Sequence, residues 1–521
     1  QAVEATGASI EELHPQDATL IVRIQPGAAL SQLAATPGIT FIEPVAPPPT
    51  PDDTPSRSNH RSNVIDTDMP MGRHYNGQGV HVAMGDDGSV GPHIDYQGRL
   101  NNAPAAANNA GDHGDHCGGI IMGAGNLDPK AKGMAAGATL HVFNVYDAIN
   151  RLNQTYAADS VRITSISYSQ VCNGGYTSDS RSLDLKTRQY PSLIPVFSAG
   201  NAGQQSCSPV GSGWYNITGG YKSAKNVITV ANLDYLDQLN TSSSRGPAAD
   251  GRIKPDIAAV GTNVWSTIST NTAGNMYGFK TGTSMSCPAV SGTCAQLFHA
   301  YRSLHSGQDP ANGLIKALLL NTAEDLGNPG PDFRFGYGRI NAARAVRVLE
   351  TNRWFEDSLD QGQTRTHTIA VPPGTQHLRV MVYWTDVEGS SSTTRPLVNN
   401  LDAVLTGSGG TAWHPWVLDP TPDPARLDAP AVRAVDSLNN MEQITLDNPA
   451  SGSYTLTVEG TSVPFGMQRY FVVVELQDTD VTLTYPIGGE GFAPADRETI
   501  RWDAYGSLAP FDISYSIDNG T

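Results

Sequence analysis

Four short stretches of the 521-residue chain carry side chains that could do chemistry together. "GVHVAMGDDG", residues 79–88, ends an apolar strand pattern in Asp86 and Asp87, and "DHGDHCGGII", residues 112–121, opens a helical pattern with His113 and His116. "SAGN", residues 198–201, ends a second apolar run in Asn201, and "KTGTSMSCPAVSG", residues 280–292, puts Ser284 at the head of a long apolar helix pattern. Taken singly, each has an ordinary reading: Asp-Gly and Gly-Asn mark turns, and a serine caps a helix. Together they supply a carboxylate, an imidazole, an amide and a hydroxyl. A serine hydroxyl is a poor nucleophile at neutral pH unless an imidazole takes its proton and a carboxylate orients that imidazole. An amide donor can then hold the oxyanion. The chain order is Asp, His, Ser, and "GTSMS" lacks the second glycine of a G-x-S-x-G elbow.

These residues need a scaffold that brings them to one edge. From about residue 79, short apolar runs alternate with helical segments: "VHVAMG", "TLHVFNV", "RITSISY", "LIPVFSAG" and "NVITVAN". That alternation predicts an α/β domain built on a parallel sheet, in which such groups collect at strand ends and helix starts. Two helices close it, one from Ser284 to about Leu304 and one over residues 312–325. From about residue 352 the pattern changes to period two, in "THTIAV", "LRVMVYW", "AVLTGSG", "YTLTVEG" and "YFVVVELQ", which predicts an antiparallel β-sandwich. The chain divides on this reading into residues 1–45, with a strand, helix and strand over 19–45, then a proline-rich linker over 46–70, whose 46–63 is "APPPTPDDTPSRSNHRSN". An α/β domain over 71–350, a β-sandwich over 351–478 and a partial Ig-like β module over 479–521 follow.

With the motifs in place, the central region resembles the subtilisin-like serine proteases, the subtilases. "HGDHCGGI" is similar to that family's HGTHVAG block, "SAGN" to its oxyanion segment, and "GTSMSCPAVSG" to its GTSMAxPxVxG signature. "SSSRGPAADGRIKPDIAAVG" and "GYGRINAARA" match later landmarks, so that the resemblance covers roughly residues 72–347. It implies a serine endopeptidase with Asp86 as orienting carboxylate, His113 as general base, Ser284 as nucleophile and Asn201 as oxyanion donor. Asp87 stands where the family usually has Ser or Thr, and alignment to its "DTG" favours Asp86 as the catalytic acid. "SISYSQ" looks like the family's edge segment that pairs with substrate backbone, which puts Ser167, Tyr168 and Ser169 together with Ala199 and Gly200 in the substrate cleft. Ser169 replaces the usual glycine and should crowd the first specificity pocket.

The same resemblance extends to the flanks. Residues 19–45 resemble the tail of an inhibitor-type prodomain. The β domain, with "YWTDVEG", "PLVNNLDAVL" and "NNMEQITL", resembles the jelly-roll domain that follows the catalytic domain in some alkaline subtilases. Acidic loops bind calcium there, so Asp386, Asn400 and Asp402 are the implied oxygen ligands for a structural Ca²⁺. The chemistry itself requires no cofactor. Cys172 and Cys207 follow the edge and oxyanion segments, and a disulfide between them suits an extracellular protein. Cys117, under the base, is expected to act as a small hydrophobe.

Two other classes compete. "DHGDHC" packs two His, two Asp and one Cys into six residues and could be the metal site of a hydrolase, although no HExxH accompanies it. The chain could also be a non-catalytic surface protein on a subtilase scaffold. Composition narrows the partners. Fifty Asp and Glu against 33 Lys and Arg give a formal charge of −17, which repels nucleic acid and anionic membranes. No apolar run reaches membrane-spanning length. Five cysteines are too few for a disulfide scaffold. The expectation is a secreted or cell-surface monomer acting on proteins or peptides.

Overall fold

The computed structural model describes residues 2–14, 19–24, 30–42, 56–67, 72–105, 111–170, 172–211, 213–268, 275–391, 393–488, 490, 498–506 and 510–516. The chain forms two compact units, Gln1–Asp52 and Asp53–Thr521. In the first, strands Ala8–His14 and Thr19–Ile24 pair antiparallel and a short helix spans Leu30–Ala34. "TLIVRIQ" is thus the second strand of a hairpin, and residues 39–42 of the third expected element are not a strand. Residues 43–45 lie outside the described residues.

The second unit is built on a seven-stranded parallel sheet. Its strands are β1 (His81–Asp86), β2 (Leu100–Asn101), β3 (Thr139–Asn144), β4 (Val161–Ile166), β5 (Ile194–Ser198), β6 (Ile228–Leu233) and β7 (Ile257–Val260), in the order β2-β3-β1-β4-β5-β6-β7. Helices cover both faces, so β5, β6 and β7 are buried at every position and read as uninterrupted apolar or small runs. Strand order reverses around β1. The carboxyl ends of β1, β4 and β5 therefore open onto a common crevice, and these ends carry Asp86, the 167–169 segment and the 199–201 segment. The helix Thr283–Leu304 runs through the core, followed by Asn312–Asn321 and by Ala342–Glu350, a third closing helix that the pattern did not reveal.

Beyond residue 353 two four-stranded antiparallel sheets face each other. One orders Trp354–Leu359, Gln468–Asp478, Thr375–Tyr383 and Met441–Asp447; the other orders Thr364–Val371, Gly452–Ser462, Asn400–Thr406 and Ala412–Trp413. Leu378, Val380, Val382, Leu401, Leu405, Leu456 and Val472 from both sheets make one core between them. A final hairpin pairs Asp480–Tyr485 with Arg501–Tyr505.

The linker expected over 46–70 needs correction. Residues 43–55 and 68–71 lie outside the described residues, but Ser56–Asn59 and Ser62–Ile65 form two short helices inside the second unit. Several of their polar groups are buried against specific partners. His60 Nε2 accepts from the Val260 amide at 2.8 Å, and Gln296 Nε2 donates to the Ser62 carbonyl at 3.2 Å. Arg57 pairs with Asp66 at 2.9 Å, and Arg61 pairs with Asp503 of the last hairpin at 2.5 Å. A Ser/Asn/His/Arg composition looks like a solvated linker only until these partners are known.

The sandwich is fastened to the α/β domain by buried charge. Lys225, before β6, puts Nζ 2.5 Å from Asp386 Oδ2 with both side chains fully buried. It also donates to the carbonyls of Val387 and, at 2.6 Å, Pro396. Arg344 pairs with Glu475 at 2.5 Å, and Asn312 accepts from Thr385 at 2.9 Å. Removing one partner of a buried pair strands the other in a low-dielectric site, at about 3–5 kcal/mol, whereas replacing both by apolar groups is far less damaging. Denaturant titrations should therefore show Lys225→Met or Asp386→Leu strongly destabilised and the double variant partly restored. A loss in the double variant equal to the sum of the two single losses would show that the pair has no coupling.

Candidate active site

Asp86 ends β1 and is 1% exposed. Its Oδ1 lies 2.7 Å from His113 Nδ1 and accepts the Asp87 amide at 2.9 Å, while Oδ2 is buried with no hydrogen-bond partner among the described residues. Asp87 Oδ1 accepts the Gly114 amide at 3.2 Å. Burial and the Asp86 charge raise the Asp87 pKa. Asp86 is thus the carboxylate that meets the imidazole. Gly114 permits the approach, since a Cβ there would stand 2.9 Å from Asp87 Oδ1 and 3.2 Å from Asp86 Cβ.

His113 opens the helix His113–Met122, its ring partly exposed and capped edge-on by Tyr168 with centroids 5.6 Å apart. Its pKa is raised above the ordinary imidazole value, against the effect of burial, by whatever negative charge Cys117 carries and by the Asp86 carboxylate. Burial, however, pushes the Cys117 thiol above its own usual range, so near neutral pH that sulfur carries no charge. Asp86 is the cause that remains.

Ser284 is the second residue of its helix and 9% exposed, with Oγ donating to the Ser167 carbonyl at 3.2 Å. Four residues on, Pro288 has no amide hydrogen, so the Ser284 carbonyl loses its helical donor. Two side chains take its place: Cys117 Sγ at 3.3 Å and Ser167 Oγ at 3.1 Å. Cys117 Sγ also lies 3.9 Å from His113 Nδ1, so that one sulfur touches both the histidine and the serine backbone.

Asn201 Oδ1 accepts from the Thr283 amide and hydroxyl, both at 3.0 Å, which fixes the side chain and leaves Nδ2 with no protein partner among the described residues. A Cβ on Gly282 would come 3.2 Å from that Nδ2, so the glycine keeps the space before it open. Gly200 has φ +116°, and a Cβ there would come 2.3 Å from Thr218 Oγ1. Only glycine allows this turn. Its amide donates to Thr283 Oγ1 at 3.2 Å, and Ala199 is tied to β6 through Val230. Of the edge segment, Ser167 is buried, Tyr168 half-buried and Ser169 exposed.

Residues 77–338 match the sequence profile described as Subtilase family. The chain belongs to the subtilase family. This subtilase is 28% identical over 331 residues to serine protease AprX of Bacillus subtilis, covering 56% of this chain and 71% of that protein. It is 26% identical over 281 residues to thermitase of Thermoactinomyces vulgaris, covering 52% and 90%. A serine protease/ABC transporter B family protein of Dictyostelium discoideum is 26% identical over 318 residues; this is 46% of the subtilase described here but only 16% of that longer relative.

Two expectations fail in this subtilase. The "DHGDHC" run does not converge, because a helix turns about 100° per residue and sends its groups apart. Asp112 pairs with Lys280 at 2.7 Å, Asp115 accepts the Gly91 amide at 2.8 Å, and His116 Nε2 reaches the carbonyls of Val264 at 2.9 Å and Gly278 at 3.0 Å. Burial lowers His116 to about 4, which keeps it neutral. Of the six residues only His113 and Cys117 share a site, with Asp86. The calcium set Asp386, Asn400 and Asp402 does not fit either. Both oxygens of Asp386 are engaged by Lys225, the Val398 amide at 2.8 Å and the Asn399 amide at 2.9 Å, while Asn400 donates to Asp402 at 3.1 Å.

Sequence reading overlooked Ser198, Thr218 and Lys222. Thr218 Oγ1 bonds Ser169 Oγ at 3.0 Å and the Ala199 carbonyl at 3.1 Å, so it joins the two segments flanking the cleft. Nothing in "NITGGYKSAKN", residues 216–226, distinguishes Thr218 and Lys222 from a surface turn. Cys172 and Cys207 are disulfide-bonded with Cα atoms 6.1 Å apart, and Cys117, Cys287 and Cys294 are free and buried. A thiol reagent should find no reactive cysteine in the folded protein and three after unfolding without reductant. Five after unfolding would mean that the bridge does not form.

Proposed function

We propose that this subtilase is a secreted serine endopeptidase that cleaves protein or peptide substrates through an acyl-enzyme. The observation that carries the reading is the 2.7 Å contact of Asp86 with His113 beside the Ser284 helix start, with Asn201 Nδ2 free to donate. Asp86 holds the Nδ1–H tautomer, so Nε2 is the basic edge. On rotation away from the Ser167 carbonyl, Ser284 Oγ gives its proton to Nε2 and attacks the scissile carbonyl carbon. The tetrahedral oxyanion is held by Asn201 Nδ2 and by backbone amides at the helix start, which have no partner within the helix. His113 then returns the proton to the leaving amine, and water repeats the sequence on the ester. Substrate backbone adds as a strand along residues 167–169. No metal enters these steps.

Secretion is supported by the Cys172–Cys207 disulfide, a bond that persists in oxidising compartments, and among the described residues no helix is long and apolar enough to cross a membrane. Ser284→Ala should fold normally and lose more than about 1,000-fold in kcat/KM on a peptide substrate. Undiminished turnover would remove the peptidase reading.

The pH profile tests the base. His113 works only when neutral, and its carboxylate partner raises its pKa, so kcat/KM should rise with pH through a midpoint above the ordinary imidazole value of about 6.5. Asp86→Asn should move that midpoint down and cut the rate. Cys117→Ala should leave the midpoint in place because the thiol it removes is uncharged. A large downward shift in Cys117→Ala would show a thiolate beside the base.

A further inference from the structure

Four lysines in this chain are nearly inaccessible: Lys222, Lys225, Lys254 and Lys316. Three have carboxylate partners, Lys225 with Asp386 and both Lys254 and Lys316 with Asp256. Lys222 has none among the described residues. Its Nζ is held by three hydroxyls: Thr218 Oγ1 at 2.8 Å, Ser169 Oγ at 3.3 Å and Ser198 Oγ at 3.3 Å. Burial lowers its pKa to about 7, and the Cys287 thiol, which burial keeps protonated near pH 7, supplies no charge to offset this. A buried ammonium with only neutral partners is costly, and a carboxylate placed beside it would offset that cost.

The position of the three hydroxyls says where such a carboxylate would come from. Ser169 ends the edge segment, and Ser198 directly precedes Ala199 and Gly200. Thr218 bridges the two through Ser169 and the Ala199 carbonyl. If substrate backbone runs along 167–169 with its carbonyl at Ser284 and its oxygen toward Asn201, the side chain of the residue that supplies that carbonyl enters between these two walls. Lys222 Nζ is within hydrogen-bond distance of both walls, at 3.3 Å from Ser169 Oγ on one and 3.3 Å from Ser198 Oγ on the other. Resting on the peptidase reading above, we propose that Lys222 is a specificity-determining residue that selects an acidic side chain, glutamate or aspartate, on the residue immediately before the scissile bond.

The net charge of −17 does not oppose this. Long-range repulsion is screened beyond about 8 Å at physiological ionic strength, whereas the pocket acts at hydrogen-bond distance. A charge-assisted hydrogen bond in a buried site discriminates against its neutral isostere by about 10- to 100-fold.

Three peptides identical except for Glu, Gln or Leu before the cleaved bond decide the matter, with kcat/KM measured on each for the parent and for Lys222→Met. The parent should favour Glu over Gln by about 10-fold or more, and the ratio should fall to near one in Lys222→Met. Equal rates on the Glu and Gln peptides in the parent overturn the proposal whether or not the variant folds, as does a preference that survives in a folded Lys222→Met. Cleavage of none of the three by the parent overturns the peptidase reading, and this proposal with it.

Discussion

Pro288 cannot donate a backbone hydrogen bond, and the carbonyl it leaves unserved is that of Ser284. Around this one vacancy in the helix ladder the cleft is organised. Cys117 comes from the helix that begins at His113, and Ser167 from the segment that ends β4; both converge on the same oxygen. The helix carrying the imidazole, the strand end carrying the edge segment and the helix carrying the hydroxyl are therefore registered against one another by two hydrogen bonds to a single atom. An alanine in place of the proline would return the carbonyl to the helix and leave Cys117 and Ser167 without their shared acceptor.

Buried charge is the second organising constraint. A chain with a large acidic excess nonetheless buries four lysines in its second unit, three of which, Lys225, Lys254 and Lys316, sit where carbonyls and carboxylates would otherwise be unsatisfied. Lys316 donates to the carbonyls of Lys225 and Val227 while pairing with Asp256, and Lys254 reaches the same carboxylate. Lys225 then extends this polar layer across to the sandwich. Its position directly before β6 ties the seat of the β domain to a strand whose neighbour, β5, ends in the oxyanion segment. Lys222, three residues earlier, meets hydroxyls alone among the described residues.

How much of this is legible in the sequence depends on whether the signal is local. Asp86, His113, Asn201 and Ser284 stand in short motifs whose glycines, at 114, 200 and 282, are dictated by close approach and so mark their own surroundings. The alternation of strand and helix, and later the period-two strands of the sandwich, follow from which faces are covered. Partners distant in sequence leave no such trace. Asp386 reads as an acidic loop residue until Lys225, 161 positions away, is seen to take its carboxylate. Residues 56–65 read as linker because their composition is polar, yet burial depends on whether polar groups are met, and theirs are met by residues as distant as Val260 and Asp503.

The same reasoning explains why Ser169 matters more than its substitution for glycine suggests. A side chain at that position narrows the cleft, which taken alone would favour small substrate residues. But Ser169 Oγ is also a hydrogen-bonding link between solvent and a buried ammonium, and together with Thr218 Oγ1 it keeps Lys222 solvated in the absence of a counter-ion. Glycine there would remove one of three hydroxyls from an amine with no carboxylate partner among the described residues. The hydroxyl at 169 and the lysine at 222 thus belong to one hydrogen-bonded group, in which Ser169 is the exposed member and Lys222 the buried one.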